Sequence, residues 1–163
     1  MHIGQRLNGF HCTQRGTSLA ITLFRGDYAF LSNFWFIKIK YDGEFYASVE
    51  HAYQAAKTLD PKIRIAIRKA HLPANACRIG KYGLVLRSGW DEMKINVMFD
   101  LIREKFKDED LRQKLLDTGN EELVEGNNWN DTFWGECSGV GENHLGKILM
   151  EVRSEIRKQV QQG

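Results

Sequence analysis

The side chains best suited to do chemistry fall in one run, Ser48-Val49-Glu50-His51-Ala52-Tyr53-Gln54-Ala55-Ala56-Lys57. Wound as a helix, this run sets Glu50, Tyr53, Gln54 and Lys57 at i, i+3, i+4 and i+7, on a single face. A carboxylate, a phenol, an amide and an amine on one stripe can hold charge and move protons. Ser48 suits the N-cap, and a Glu in the first turn is favoured by the positive end of the helix dipole. The same spacing also describes the wet side of an ordinary surface helix, and periodicity alone favours that plainer reading.

A second informative stretch lies between Glu125 and Gly146: Gly126-Asn127-Asn128-Trp129-Asn130-Asp131-Thr132-Phe133-Trp134-Gly135, then Gly139, Gly141 and Asn143. Two tryptophans in a loop crowded with Asn, Asp and Gly suit a planar, hydrogen-bonding ligand such as a nucleobase. The Gly-x-Gly at 139–141, just ahead of a helix, could turn backbone N–H groups toward a phosphate. It does not follow the first strand of a βαβ unit, so it is no dinucleotide fingerprint, and a glycine-rich turn explains it equally well.

These stretches must be positioned by one core of moderate size. The chain has 163 residues, 42% hydrophobic and 11% aromatic, enough for a single substantial domain. No apolar run is long enough to cross a bilayer, and there is no charged-then-apolar leader. Cys12, Cys77 and Cys137 are odd in number and form no CxxC pair, so neither a disulfide framework nor a zinc site is expected. His2, His11, His51, His71 and His144 show no metal-binding spacing, so no metal and no cofactor are expected. A reducing cytoplasm is the expected setting.

The net charge of +2 conceals two blocks. Residues 61–90 carry Lys62, Arg64, Arg68, Lys69, Arg78, Lys81 and Arg87 with no acid, whereas 107–142 carry ten acids against three bases. The basic block reads equally as a solvated face or as a surface for phosphate. Without aromatic interleaving it is weak evidence for nucleic acid.

Taken in order, residues 1–18 show no sustained period and are expected to be a loosely held arm, with the domain proper over 19–160. Leu19–Phe24 reads as a strand, followed by a turn at Arg25-Gly26-Asp27. Phe30-Leu31-Ser32-Asn33-Phe34 enters a second extended piece in which Ile37, Ile39 and Tyr41 alternate with Lys38 and Lys40. Asp42-Gly43 is a two-residue hairpin turn leading into Glu44-Phe45-Tyr46. The Glu50 helix is expected to end near Leu59. Asp60-Pro61 caps and opens another helix, running to about His71, and Pro73 starts a short one that closes at Gly80 or Gly83. A longer helix begins near Asp91, its core stripe Met93, Val97, Met98, Leu101 and Ile102. Asp108 caps a helix carrying Leu111, Leu115 and Leu116 that stops at Gly119. Leu123-Val124 is a short strand. Leu145, Ile148, Leu149, Val152 and Ile156 mark a C-terminal helix capped by Asn143. The fold class is therefore α+β, predominantly helical, with one small N-terminal antiparallel sheet.

The pieces together resemble the NADAR, or YbiA-like, family. The resemblance rests on Phe30-Leu31-Ser32-Asn33-Phe34, Ser48-x-Glu50-His51-x-Tyr53-Gln54-Ala55-x-Lys57, Ala76-x-Arg78-x-Gly80 and Trp90-x-x-x-Lys94. It continues through Leu123-Val124-Glu125, Asn130-Asp131-x-x-Trp134-Gly135 and Gly141-x-Asn143-x-Leu145-Gly146. Order and spacing agree from about residue 23 to 158. Glu136-Cys137-Ser138 departs from the pattern. The resemblance implies a YbiA-like fold and an N-glycosidase acting on ribosylated compounds. Two substrate kinds are implied: ribosylamino-pyrimidine phosphate intermediates of riboflavin synthesis, and ADP-ribose on guanine in nucleic acid. The alternative is a non-catalytic module that binds ADP-ribose or a related nucleotide.

Breaking a C1′–N bond builds positive charge on the sugar and negative charge on the departing base, so a carboxylate is wanted near the sugar and a donor near the base. Glu50 is the first candidate for the carboxylate, steadying the oxocarbenium-like centre or activating water. Asp131 is the second. Lys57 is placed to donate to the leaving group, to bind phosphate or, with its pKa lowered, to attack an opened sugar as an amine. Trp90 and Trp134 are candidates for stacking on a base, although a Trp opening a long helix is as often a core residue. Asn33, Gln54, Asn130 and Asn143 can read base edges or ribose hydroxyls; each is also a plausible turn or cap residue, Asn143 above all. Gly135 is grouped with the binding residues beside Trp134. Arg78 and Lys81 are candidates for phosphate, with plain solvation as the alternative. His51 is expected in a buried hydrogen-bond network.

Overall fold

Helix α1, Val49–Ala56, is buried along its whole length, and the other elements are laid around it. A computed structural model describes residues 19–82 and 84–162; the expected arm over 1–18, with Cys12, His2 and His11, lies outside the described residues, as does Gly83. Ser48 caps α1 as anticipated, its Oγ accepting from the His51 N–H, while Ala52, Ala55 and Ala56 keep the helix slim enough for close neighbours. Around it pack α2 (Pro61–Arg68), α3 (Pro73–Lys81) and α4 (Trp90–Lys105). Helix α5 (Glu109–Asp117) and the C-terminal α6 (His144–Gln162) pack on each other, and α6 also lies along α4.

The hairpin forms as the sequence requires. Strand β1 (Ile39–Tyr41) pairs antiparallel with β2 (Glu44–Tyr46), and Asp42 and Gly43 both take the positive φ that a type I′ turn demands. A second pair is parallel and only two residues long, β3 (Gly126–Asn127) on β4 (Glu136–Cys137). The architecture is predominantly helical with one small antiparallel hairpin. Among the described residues no helix is long and apolar enough to cross a membrane.

Several boundaries differ from expectation for identifiable reasons. Gly26–Leu31 is a 3-10 helix where Phe30-Leu31 read as the start of an extended piece. Phe30 and Leu31 are both buried, and consecutive residues of a strand would point to opposite faces; a helical turn sends both inward. Leu19–Phe24 is not a strand: Ile21 makes one parallel bridge to Leu123, which likewise stands as a single bridged residue. Helix α1 ends at Ala56, three residues early, with Lys57 as C-cap. Helix α2 stops at Arg68, before the chain turns toward Pro73. The caps at Asp60 and Asp108 form as read, each carboxylate accepting from backbone N–H groups of its helix. In α6, Leu145, Ile148, Leu149, Val152 and Ile156 are all buried.

Asn143 precedes α6, but its side chain does not cap that helix. With φ near 50°, it turns back so that Nδ2 donates to the Leu123 carbonyl at 2.9 Å and Oδ1 accepts from the Glu125 N–H at 3.1 Å. It is 4% exposed and clamps the chain on either side of Val124. Asn143→Ala is expected to cost about 2–4 kcal/mol, because two bonds are lost and two backbone groups are left without partners. Urea unfolding checks this as a lower midpoint at unchanged slope.

Candidate active site

The polar stripe of α1 faces inward. Glu50, Tyr53, Gln54 and Lys57 line a cavity of about 270 Å³, completed by Asn33, Phe34, Cys77, Met98, Glu125, Trp129, Asp131 and Trp134. Helix α1 is held at this wall by a bond from the Glu50 N–H to the Asn33 carbonyl, 3.0 Å. Behind the stripe, His51 is fully buried: Nε2 donates to the Ala70 carbonyl, which fixes the tautomer, and Nδ1 accepts from the Ser48 hydroxyl. That is the buried network expected of it.

Glu50 is 7% exposed. Burial raises its pKa; the Gln54 amide, donating from Nε2 to Oε1 at 2.8 Å, opposes the rise, as do the Cys77 thiol and the charge of Lys57, while Asp131 adds to it. Gln54 is held in place by the absence of a side chain on α3: a Cβ on Gly80 would stand 1.9 Å from Gln54 Oε1. Lys57 is lowered by burial, against the attraction of Glu50. Cys77 is pushed up to about 11 by burial and by Glu50.

A second carboxyl group of the wall, Glu125, acts on an amine outside the lining, Lys105. Glu125 is raised to about 7 by burial first, then by Asp131 and Glu50, with Lys105 pulling the other way. Lys105, in the last turn of α4, is 1% exposed; its Nζ donates to the Ser32 carbonyl at 2.7 Å, and burial lowers its pKa to about 7. It therefore anchors the Ser32-Asn33 turn from beneath. Asn33 donates weakly to Met98 Sδ, 3.5 Å, and leaves Oδ1 buried with no protein partner. Among the described residues, no group of three His, Cys, Asp or Glu side chains is arranged to hold a metal ion.

The loop carrying Asp131 is tied by its own side chains. Asn127 Nδ2 donates to the Asp131 carbonyl at 2.7 Å, and Asn127 Oδ1 accepts from the N–H groups of Trp129 and Asp131. Asp131 Oδ1 in turn accepts from the N–H groups of Phe133 and Trp134. One carboxylate oxygen of Asp131 thus serves the loop. Trp134 meets the ring of Tyr53 edge-on at 5.4 Å.

Of the residues singled out in the sequence, Asn33, Glu50, Gln54, Lys57, Asp131 and Trp134 share the cavity wall. Trp90 does not. It is 5% exposed and packs behind Tyr53 with ring centroids 5.3 Å apart, a core position. Asn143 is the backbone clamp already described, and Asn130 is an exposed loop residue with φ of 65°. Gly135 is buried for steric reasons, since a Cβ there would lie 2.1 Å from the Glu125 carbonyl oxygen. Arg78 and Lys81 are exposed on α3 outside the wall, although Lys81 acts electrostatically on Cys77. The basic block is partly neutralised, with Arg64 paired to Asp42 and Arg68 to Glu44. Sequence reasoning did not select Glu125, Cys77, Phe34, Met98 or Trp129 as site residues. Glu125 had a signal in the Leu123-Val124-Glu125 motif and Trp129 in the aromatic loop; Cys77, Phe34 and Met98 had none that separated them from core or surface.

A buried cavity walled by three carboxylates and an amine, on a mostly helical scaffold, is the site of a hydrolase-like protein that handles a polar ligand. The chain belongs to the NADAR domain family, whose pattern residues 23–157 match. N-glycosidase YbiA of Escherichia coli (strain K12) is 41% identical over 133 residues, which span 80% of this chain and 82% of that protein. A riboflavin biosynthesis protein of Vibrio vulnificus (strain YJ016) is 37% identical over 135 residues, 81% of this chain and 36% of that protein. The NMR structure of E. coli YbiA matches with a TM-score of 0.81 at 36% identity, covering 90% of this chain and 89% of that one.

Gly80→Ala is expected to push the Gln54 amide off Glu50, at a steric cost of about 1–3 kcal/mol. Because that amide lowers the pKa of Glu50, the Glu50 carboxyl should then titrate at higher pH than in the parent protein. Carbon-13 NMR of the Glu carboxyl carbons during a pH titration reads the shift.

Proposed function

We propose that the chain is an N-glycosidase that hydrolyses the C1′–N bond of a ribosyl compound bearing phosphate, and that residues 19–160 form the unit that carries the activity. The observation that carries this reading is Glu50: a carboxylate 7% exposed, on the cavity wall, two helical turns from Lys57 on the same face. Burying a carboxylate is costly, and the cost is recovered where positive charge develops against it. A ribosyl cation is such a charge.

The cavity supports a division of labour. Glu50 faces C1′ and stabilises the oxocarbenium-like transition state. As the C1′–N bond breaks, its electron pair leaves with the base, and Glu125, held near neutrality, supplies the proton to the leaving nitrogen. Water adds its oxygen to C1′, and its proton passes to a carboxylate, with the free oxygen of Asp131 available for it. Lys57 takes the phosphate end. Lys94 lies close enough to disfavour the charge on Lys57, and Lys81 acts on the same corner through Cys77, so positive charge gathers on that side. The substrate is either ADP-ribose joined to guanine in nucleic acid or a ribosylamino-pyrimidine phosphate; both offer phosphate on one side of the ribose and a heteroaromatic base on the other. The free thiols of Cys77 and Cys137 support a reducing compartment, the cytoplasm.

Incubation with ADP-ribosylated guanine DNA, and separately with the riboflavin intermediates, tests the reading. Release of ADP-ribose from the DNA, or of ribose 5-phosphate and free pyrimidine from the riboflavin intermediates, by the parent protein, with a loss of 10²-fold or more in Glu50→Gln, is the expected outcome. Binding without turnover on every ribosylated substrate would make the protein a reader instead. Borohydride added during turnover decides the role of Lys57: a reduced adduct on it marks amine attack on an opened sugar, and none marks direct hydrolysis.

The proton donor has its own test. Glu125 must be protonated to act, so kcat/KM is expected to fall about tenfold per unit above about pH 7, where its proton is lost. In Glu125→Gln the rate should be lower throughout and that alkaline limb absent. Retention of both rate and limb in the variant would move the role elsewhere.

A further inference from the structure

Two aromatic rings on the cavity wall are left by this assignment with nothing to do. Trp129 is 60% exposed and Phe34 is 44% exposed, and both line the cavity that holds Glu50. Exposed and lining at once, they stand at its mouth. Trp134 and Tyr53 differ, being engaged edge-on with each other deeper in the wall.

Each exposed ring is mounted on a turn fixed by side-chain hydrogen bonds. Phe34 follows Ser32, whose Oγ accepts the Phe34 N–H at 3.1 Å, and the same turn is anchored below by Lys105. Trp129 is held by Asn127 Oδ1, which also binds Asp131, so indole and carboxylate belong to one stiffened loop. Holding an indole in solvent on an ordered loop forgoes the gain of burying it, about 25 cal/mol for each Å² left wet. A planar ligand would recover that gain. On the same wall Asn33 presents the second feature that calls for a ligand: it is 8% exposed, with an Oδ1 that no protein donor satisfies.

Size decides what lies there. At about 270 Å³ the cavity falls just below the volumes, about 300 Å³ and up, that enclose a whole small ligand, too small to take a phosphorylated ribose together with its base. With the phosphate drawn to the Lys57 side and C1′ set against Glu50, the base on C1′ must extend out through the mouth. We propose that Phe34 and Trp129 are specificity-determining residues that stack the departing heteroaromatic base at the cavity mouth, with Asn33 Oδ1 accepting from one of its N–H groups. This assignment rests on the glycosidase reading for its orientation, and it moves base stacking from Trp90 and Trp134 to Phe34 and Trp129.

The test takes guanosine 5′-monophosphate as a probe that joins a 5-phosphorylated ribose to a heteroaromatic base through a C1′–N bond, and it does not depend on turnover. The full chain is titrated with guanosine 5′-monophosphate and with ribose 5-phosphate, by tryptophan fluorescence and calorimetry, in the parent protein, Trp129→Ala, Trp129→Phe and Phe34→Ala. Both rings are largely exposed, so the variants should fold as the parent does. Stacking on one base carries about a tenfold or larger change in affinity. Expected are quenching by the nucleotide in the parent, a smaller quench and at least tenfold weaker binding in Trp129→Ala, and near-parental binding with that smaller quench, left to Trp134, in Trp129→Phe. Phe34→Ala should bind more weakly while keeping the quench. Ribose 5-phosphate should bind all four proteins alike. Nucleotide affinity unchanged in both alanine variants, or no nucleotide binding by the parent, overturns the proposal. Quenching by the nucleotide in a protein that hydrolyses no ribosylated base would overturn the glycosidase reading and leave the aromatic rim standing.

Discussion

Everything about this molecule turns on keeping a carboxyl group inside it. Glu50 sits in a helix with no exposed residue, walled by α2, α3 and α4, and the surrounding structure is spent on making that position tolerable. Transfer of an ionised carboxylate into such a place is unfavourable by several kcal/mol even after relaxation. Three groups oppose the penalty: the Gln54 amide, the Cys77 thiol and the Lys57 ammonium. Each comes from a different constraint. Gln54 is one turn along the same helix, Cys77 is brought in by α3, and Lys57 is placed by the C-cap that ends α1 early. With α1 ended and Pro61 four residues on offering no N–H, the Lys57 carbonyl accepts instead from Arg87 N–H at 2.8 Å, which ties down the 84–89 segment.

The cavity is electrostatically unbalanced in a directed way. Glu50, Glu125 and Asp131 act on one another with like charge, and both glutamates are raised in part for that reason. Lys105 relieves Glu125 from behind and Lys57 relieves Glu50 from the side, yet each amine is itself weakened by burial. Carboxyl groups outnumber amines on the cavity wall, so positive charge developing against it would be stabilised more than a group that stays uncharged.

Local chemistry was legible in the sequence, and long-range partnership was not. The Asp42-Gly43 turn, the Ser48, Asp60 and Asp108 caps and the stripe of α6 follow from residues within four positions of one another, and all form. The face of α1 was readable as a stripe, but whether it faced water or a cavity depended on α3 and the 127–134 loop, and only resemblance to a family spoke to that. Asn143 was seen as a cap because it precedes a helix; its partners Leu123 and Glu125 lie about twenty residues away, beyond any local rule. Lys105 looks like an ordinary last-turn cation, favoured by the helix dipole, and its burial is a fact of tertiary packing alone. Trp90, read as either a stacking or a core residue, is buried against Tyr53, whereas Trp129 in its Asn-rich loop is exposed; nothing in the neighbours of an indole along the chain distinguishes the two settings.

The loop over the cavity is held by side-chain hydrogen bonds that leave the Trp129 ring out. Asp131 spends one oxygen on the Phe133 and Trp134 N–H groups, and Asn127 spends its whole amide on the loop backbone. Gly135 then lets the loop pass directly over the Glu125 carbonyl, closer than any side chain would permit. These contacts fix the backbone on both sides of Trp129 without using its ring. The indole is therefore decoupled from the framework that holds the carboxylates, and the residue at this position can be exchanged without moving Asp131 or Glu125. The hydrogen bonds that build the loop run through the side chains of Asn127 and Asp131, and not through the side chain of the residue at its tip.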